Sequence, residues 1–232
     1  GAQGGLQAYI GNHLHQRSWR WESARLIAEH CIEIDAGAIR RLQIVESPDE
    51  LGIACTATFA LMENAPLLLW KISLENGGSQ GVEVKRVEML QPHPGRGQLS
   101  LAGDPAELAF FANGWQTWSY SGVYRRDDRR RATRLGPLRQ PTRLYDANPP
   151  LRRGRFSSDM FGVLADLRSR QGMLLGFLSQ QQAFGSFEVD IRGALPSSPN
   201  HGRPWLCLWA NGDRAWLAPG TSLETDWACL QF

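Results

Sequence analysis

The stretch Ala112-Asn113-Gly114-Trp115-Gln116-Thr117-Trp118-Ser119-Tyr120-Ser121-Gly122 sets three amphipathic aromatic rings among amide and hydroxyl side chains. That mixture suits a sugar. A pyranose offers an apolar C–H face that stacks on an indole, and hydroxyls that need both donors and acceptors. A tryptophan burying about 150–250 Å² in such a contact contributes on the order of a few kcal/mol. Residues two apart share a strand face, so Trp115 and Trp118 point to opposite sides unless a bulge intervenes. One ring can then enter a core while the other stands at a rim. That both rings are simply core is the competing reading, and composition does not choose between them.

Other residue types could do other chemistry. Glycosidases need two carboxyls, about 5 Å apart in retaining enzymes and about 6.5–9.5 Å apart in inverting ones. Asp159, Asp166, Glu188 and Asp190 are candidates. Glu188 and Asp190 fall on one face of an alternating strand, and Asp166 follows Leu164 and Ala165, so exposed strand-face charges account for all three. Asp159 reads as a cap on local amides in a Ser-Ser-Asp turn. No catalytic residue is therefore assigned to this chain.

His13 and His15 share a strand face and could hold a metal if a third ligand approached, but no carboxylate is close in sequence. Surface histidines are the expectation there. Cys31, Cys55, Cys207 and Cys229 lack the close pairing that zinc sites use and read as small buried hydrophobes, with two long-range disulfides as the alternative. No phosphate-cradling glycine loop, Gly-x-Ser-x-Gly or Cys/His pair is present, so neither metal nor cofactor is expected.

A chain of 232 residues at 42% hydrophobic and 21% charged can bury a sizeable core in one large domain. A net charge of +2 gives no ground for nucleic-acid or membrane affinity. No apolar run approaches the roughly 18 residues of a membrane-spanning helix. The opening Gly1-Ala2-Gln3-Gly4-Gly5 has no charged n-region and no apolar h-region, which points to a cut edge and a cytoplasmic location. The strand-like pattern that runs to Phe232 suggests a piece of a longer protein.

Strand signals dominate. They cover Ser23 to Asp35, Arg41 to Val45, Ile53 to Met62, Leu67 to Leu74, Val82 to Leu90, Phe161 to Leu167, Met173 to Ser179, Phe187 to Ile191, Trp205 to Ala210, Ala215 to Leu217 and Leu223 to Leu230. Glu75-Asn76-Gly77-Gly78 reads as a hairpin turn and Asn211-Gly212 as a tight turn. One helical turn is expected at Asp104-Pro105-Ala106-Glu107. The whole, residues 1–232, predicts an all-β protein, a large antiparallel β-sandwich. Between its two halves, Tyr124 to Phe156 holds eleven arginines against Asp127, Asp128 and Asp146, together with four prolines. It reads as a long surface loop that packs on a neighbouring domain with its arginines paired to carboxylates, and an anion or nucleic-acid site is the less favoured alternative.

Asn113-Gly114-Trp115-Gln116-Thr117-Trp118-Ser119 resembles the signature of the N-terminal domain in family-36 glycoside hydrolases, the bacterial α-galactosidases. Ser157-Ser158-Asp159-Met160-Phe161 is similar to a second element of that family. Gly172-Met173-Leu174-Leu175-Gly176-Phe177-Leu178-Ser179 and Phe184-Gly185-Ser186-Phe187-Glu188-Val189 continue the same order. The resemblance is close from Trp115 to Ile191 and rests on strand order elsewhere. The arginine-rich loop is longer and more basic than the family pattern.

The resemblance implies a β-supersandwich, galactose-mutarotase-like, ahead of a catalytic (β/α)8 barrel that this chain lacks. It implies that Trp118 reaches over the barrel mouth to touch an α-galactoside or related carbohydrate, in its own subunit or a neighbour's within a homo-oligomer. The candidate substrate-binding residues are Trp118, Trp115, Gln116, Asn113 and Tyr120, and the resemblance implies a more structural role for Trp115 and a loop-fixing role for Gln116. Two alternatives are an independent carbohydrate-binding module and an inter-subunit interaction module.

Overall fold

The structure, a computed structural model, describes residues 2–19, 25–34, 37–92, 105–114, 121–129, 153–192 and 204–232. Sixteen strands are found among them: β1 (Ala2–Ile10), β2 (His13–Ser18), β3 (Arg25–Ile34), β4 (Gly37–Glu46), β5 (Ile53–Met62), β6 (Leu67–Asn76), β7 (Val82–Pro92), β8 (Leu108–Ala112), β9 (Gly122–Arg125), β10 (Arg155–Asp159), β11 (Phe161–Asp166), β12 (Gln171–Phe177), β13 (Phe184–Asp190), β14 (Trp205–Leu217), β15 (Ser222–Glu224) and β16 (Ala228–Gln231). They build two antiparallel sheets. The smaller runs β10-β13-β14-β7-β1-β2, and the larger β3-β4-β5-β6-β16-β12-β11-β8-β9 with β15 paired to β6. The all-β antiparallel sandwich expected from the strand spacing is thus the architecture.

The alternation that marks the strands is also what builds the core. In β11, Gly162, Leu164 and Asp166 are buried while Phe161, Val163 and Ala165 are half-exposed. Leu6, Ala8, Val84, Val87, Phe187, Val189, Leu206 and Leu208 on the smaller sheet join Ile53, Cys55, Ala57, Ile72, Leu74, Leu164 and Leu175 on the larger in one cluster. Each large apolar side chain buried there is worth about 1.5–3 kcal/mol. Cys55, Cys207 and Cys229 are free and buried, as small hydrophobes.

Three expectations are corrected. Asn76-Gly77 does not close a hairpin, because β6 and β7 lie in different sheets and do not pair. The bend carries the chain from one sheet to the other. Asn76 is fully buried there, donating to the carbonyls of Gln80 and Leu217 at 2.8 and 3.0 Å and accepting from the Gly78 N–H at 3.0 Å.

Asn211-Gly212 is not a turn between two strands but lies inside the single strand β14. The register with β7 jumps from Asn211↔Arg86 to Ala215↔Val84, so three residues bulge out opposite Lys85. Asp213 and Arg214 there adopt positive φ, 46° and 61°. The asparagine signal was real, but a bulge uses the same backbone freedom as a turn.

Leu223 to Leu230 is two strands, not one. Thr225 breaks it by exchanging hydrogen bonds with Ile72: its hydroxyl accepts from the Ile72 N–H at 3.0 Å and its own N–H donates to the Ile72 carbonyl at 2.9 Å.

The helical turn near residue 104 is present as a 3-10 turn over Pro105–Glu107, with Asp104 outside the described residues. Strands β1, β8, β9 and β10 carry no strand signal of their own, and β2 shows only in the two-residue spacing of His13 and His15. The glycines at the start of β1 explain one miss. A Cβ at Gly4 would lie 2.2 Å from the Glu88 carbonyl oxygen, so this strand needs glycine where propensity argues against it.

Candidate functional site

Among the described residues, the outermost strands of the two sheets meet at one corner. β10 ends the smaller sheet and β9 ends the larger. Tyr124 of β9 stacks on Phe156 of β10 with ring centroids 4.7 Å apart, and Phe110 of β8 sits 6.2 Å from Phe156 and edge-on to Phe187 at 5.4 Å. All four rings are buried. Gly162 makes room for them, since a Cβ there would approach both Phe110 and Phe187 to 2.8 Å. Tyr124 and Phe156 were expected to bound a surface loop and instead lie in the core; both belong to strands. Residues 130–152, which hold most of its arginines, lie outside the described residues.

On this aromatic base sits a hydrogen-bonded clamp. The Asn113 N–H donates to the Ser158 hydroxyl at 2.7 Å, and Ser158 donates in turn to the Phe161 carbonyl through a short contact. The Asn113 carbonyl accepts from the Asp159 N–H at 2.9 Å, and the Asn113 side-chain amide donates to the Asp159 carbonyl at 3.0 Å. One residue on, the Gly114 N–H donates to the Ser121 hydroxyl at 2.9 Å. With Ala112 paired to Gly122, the chain leaves the larger sheet after residue 112 and rejoins it at residue 122, directly opposite. Trp115, Gln116, Trp118 and Tyr120 lie between these ends, outside the described residues.

The corner also gathers the other segments singled out in the sequence. Met160, at φ 68°, donates its N–H to the Gly185 carbonyl at 2.9 Å, and its carbonyl accepts from the Phe177 N–H at 2.8 Å. The segments around Asn113, Ser158, Phe177 and Gly185, far apart in the chain, thus share one bonded unit. A brace missed by the sequence reading ties the segment between Phe177 and Gly185. The Asp226 carboxylate accepts from the Ser179 hydroxyl and from the N–H groups of Gln181, Gln182 and Ala183, the last three at 3.0, 2.8 and 2.9 Å. Burial alone would raise the Asp226 pKa, but these bonds outweigh it and hold the carboxyl below its ordinary value. Its partners lie 43 to 47 residues away, so no local motif announces it.

The carboxylates considered for hydrolysis have other duties, and two of them correct the expected exposure. Glu188 is buried, with Arg155 Nε donating to it at 2.5 Å. Desolvation pushes its pKa up, and the Arg155 guanidinium only partly pulls it back. Asp166 is buried as well and caps the β11–β12 turn, accepting from the N–H groups of Arg168 and Ser169 at 2.8 and 3.1 Å. The Ser169 N–H is the main reason its pKa is lowered. Asp190 pairs with Arg192. Asp159 uses its backbone to anchor Asn113, as above.

His15 does meet a carboxylate, Asp49 at 3.7 Å, brought in from another strand connection. Asp49 is already engaged by Arg17 at 3.1 Å and by the N–H groups of Leu51 and Ile53. Among the described residues no group of three or more His, Cys, Asp or Glu side chains is arranged to hold a metal ion.

The chain matches no family model and no curated protein. Solved structures do match. A variant of α-galactosidase AgaA from Geobacillus stearothermophilus, in complex with 1-deoxygalactonojirimycin, aligns over 99% of this chain and 29% of its own, with a TM-score of 0.53 at 12% identity. The α-galactosidase of Lactobacillus brevis aligns over 90% of this chain and 26% of its own, with a TM-score of 0.51 at 16% identity. The galactosidase domain of the α-galactosidase-sucrose kinase AgaSK gives 0.52 at 11% identity over 90% of this chain and 27% of its own. The chain therefore spans less than a third of the length of each of these α-galactosidase structures. At these identities the likeness establishes the fold, a two-sheet antiparallel sandwich that those α-galactosidases contain.

Proposed function

We propose that the chain is the non-catalytic N-terminal domain of a family-36-type α-galactosidase, supporting a catalytic barrel and presenting Trp118 as one wall of the glycone site. The observation that carries this reading is the clamp of Asn113, Gly114, Ser121 and Ser158. It fixes Gly114 and Ser121, the residues that flank Trp115–Tyr120 in the chain, at one corner of the sandwich beside packed aromatic rings. A stacking wall needs a fixed mount, because ordering a loose loop on binding would consume the contact energy.

Two further observations support it. The sandwich is shared with α-galactosidases over nearly the whole chain. Beside the clamp, the outer face of the larger sheet carries Val123, 64% exposed, next to Phe111, whose ring stacks on Phe161 at 6.1 Å. An apolar outer face at that place suits a domain-to-domain contact. Among the described residues, Glu188, Asp166 and Asp226 are committed to arginine or to hydroxyl and turn N–H groups, so the chemistry falls to the barrel, and the sugar bound is an α-galactoside or a related carbohydrate. The wall serves the same subunit's site or that of a neighbour in a homo-oligomer.

The test compares the 232-residue chain with the intact protein on an aryl α-galactoside. The intact protein is expected to turn over and the chain alone is not, and raffinose titrated into the chain alone should bind in the millimolar range at best. Turnover by the chain that disappears in Glu188→Gln or Asp159→Asn would overturn the reading.

A further inference from the structure

The outer face of the smaller sheet carries aromatic residues that the corner does not use. Trp216 of β14 pairs with Glu83 of β7, Glu83 with Tyr9 of β1, and Tyr9 with Leu14 of β2. The next row, Ala215, Val84 and Ala8, has Val84 and Ala8 fully buried in the core. Strand alternation therefore turns the row from Trp216 to Leu14 outward. Trp216 is 64% exposed. Its indole lies against Gly81, where a Cβ would stand 2.3 Å from Cζ2 and 2.6 Å from Cε2. Glycine at that position lets the ring rest against backbone instead of standing up from the sheet.

The bulge just before Trp216, with Asp213 and Arg214 at positive φ, sets where the ring emerges, a use to which bulges are often put. It also places Arg214 Nε 3.9 Å from Glu83 Oε1 at the ring's side. Lys85 Nζ lies 6.0 Å from the Tyr9 ring centroid.

From this row we infer a second carbohydrate-binding surface, in which a short oligosaccharide runs across the strands with one sugar stacked on Trp216. Glu83 and Arg214 offer acceptor and donor to its hydroxyls, and Tyr9 meets the next sugar. Trp216 and Tyr9 are two strand spacings apart, about 10 Å at the backbone, with a carboxylate between them. A protein partner would want a contiguous apolar patch, and the charge between the rings breaks one up. A sugar chain, apolar on its ring faces and polar at its edges, matches that alternation. The surface is separate from the Asn113 corner and does not depend on the role of Trp118.

Affinity electrophoresis of the full chain through native gels containing galactomannan, xylan or amylose tests it, with glycan-free gels as reference. At least one glycan should retard the wild type. Trp216→Ala should weaken that retardation by about fivefold or more, and Glu83→Gln should weaken it measurably. The thermal midpoint of Trp216→Ala should stay within a degree or two of the wild type, because the ring is largely in solvent. Trp118→Ala should be retarded as the wild type is. Absence of retardation by all three glycans would overturn the inference, as would undiminished retardation of Trp216→Ala.

Discussion

Ser158 ties the two sheets together with one hydroxyl, accepting from Asn113 and donating to Phe161. It is fully buried, so Ser158→Ala leaves the Asn113 N–H without that partner and should cost about 1–3 kcal/mol in denaturant unfolding. The sequence marked Ser158 only as part of a resembling motif. Its role depends on a partner 45 residues away and could not be read locally.

Asp226 acts the same way with a charge. Asp226→Asn should lower stability near neutral pH by about 1.5–3 kcal/mol. Because its folded pKa lies below the ordinary 3.8, that stabilisation is present above this value and is lost as pH falls through the lower folded pKa. The gap between wild type and Asp226→Asn in acid unfolding should therefore close below pH 3.8. A gap that persists undiminished into stronger acid would assign the effect to shape, not charge.

Strands were the legible elements, and their pairing was not. Ile53 to Met62 was bounded correctly because ten residues alternate or run apolar between turn signals. Which sheet a strand joins is another matter. Asn76-Gly77 looks the same in sequence whether it folds a hairpin or crosses between sheets, since both need a tight change of direction. Asn211-Gly212 likewise signals backbone freedom, not the use made of it. In the structure Asn211 is buried, bonded to the Phe184 carbonyl, the Ser186 hydroxyl and the Trp209 indole N–H. A Cβ at Gly212 would sit 2.1 Å from the Val84 carbonyl oxygen. Backbone cannot yield as a side chain can, so Gly212→Ala should destabilise by about 1–3 kcal/mol by differential scanning calorimetry. A neutral result would mean that the bulge is not held against β7 as described.

For the molecule as a whole, composition and strand spacing gave the architecture, while the sugar-site reading came from one motif whose rings lie outside the described residues. The cysteines give a global check of the core. Burial pushes the Cys207 thiol up to about 12, and Cys55 and Cys229 are raised for the same reason. Under native conditions a thiol reagent should leave all three unlabelled in peptide mapping, and denaturant should expose them together.

On the proposed function, Trp118 of this sandwich serves a neighbouring active site. The most direct measurement is kcat/KM of the intact protein and its Trp118→Ala variant on an aryl α-galactoside. Losing a stacking wall should lower kcat/KM by about 1–3 kcal/mol, roughly 5- to 150-fold, with the fold unchanged. An intact protein that does not hydrolyse the substrate, or a variant as active as the wild type, would rule out that role for Trp118.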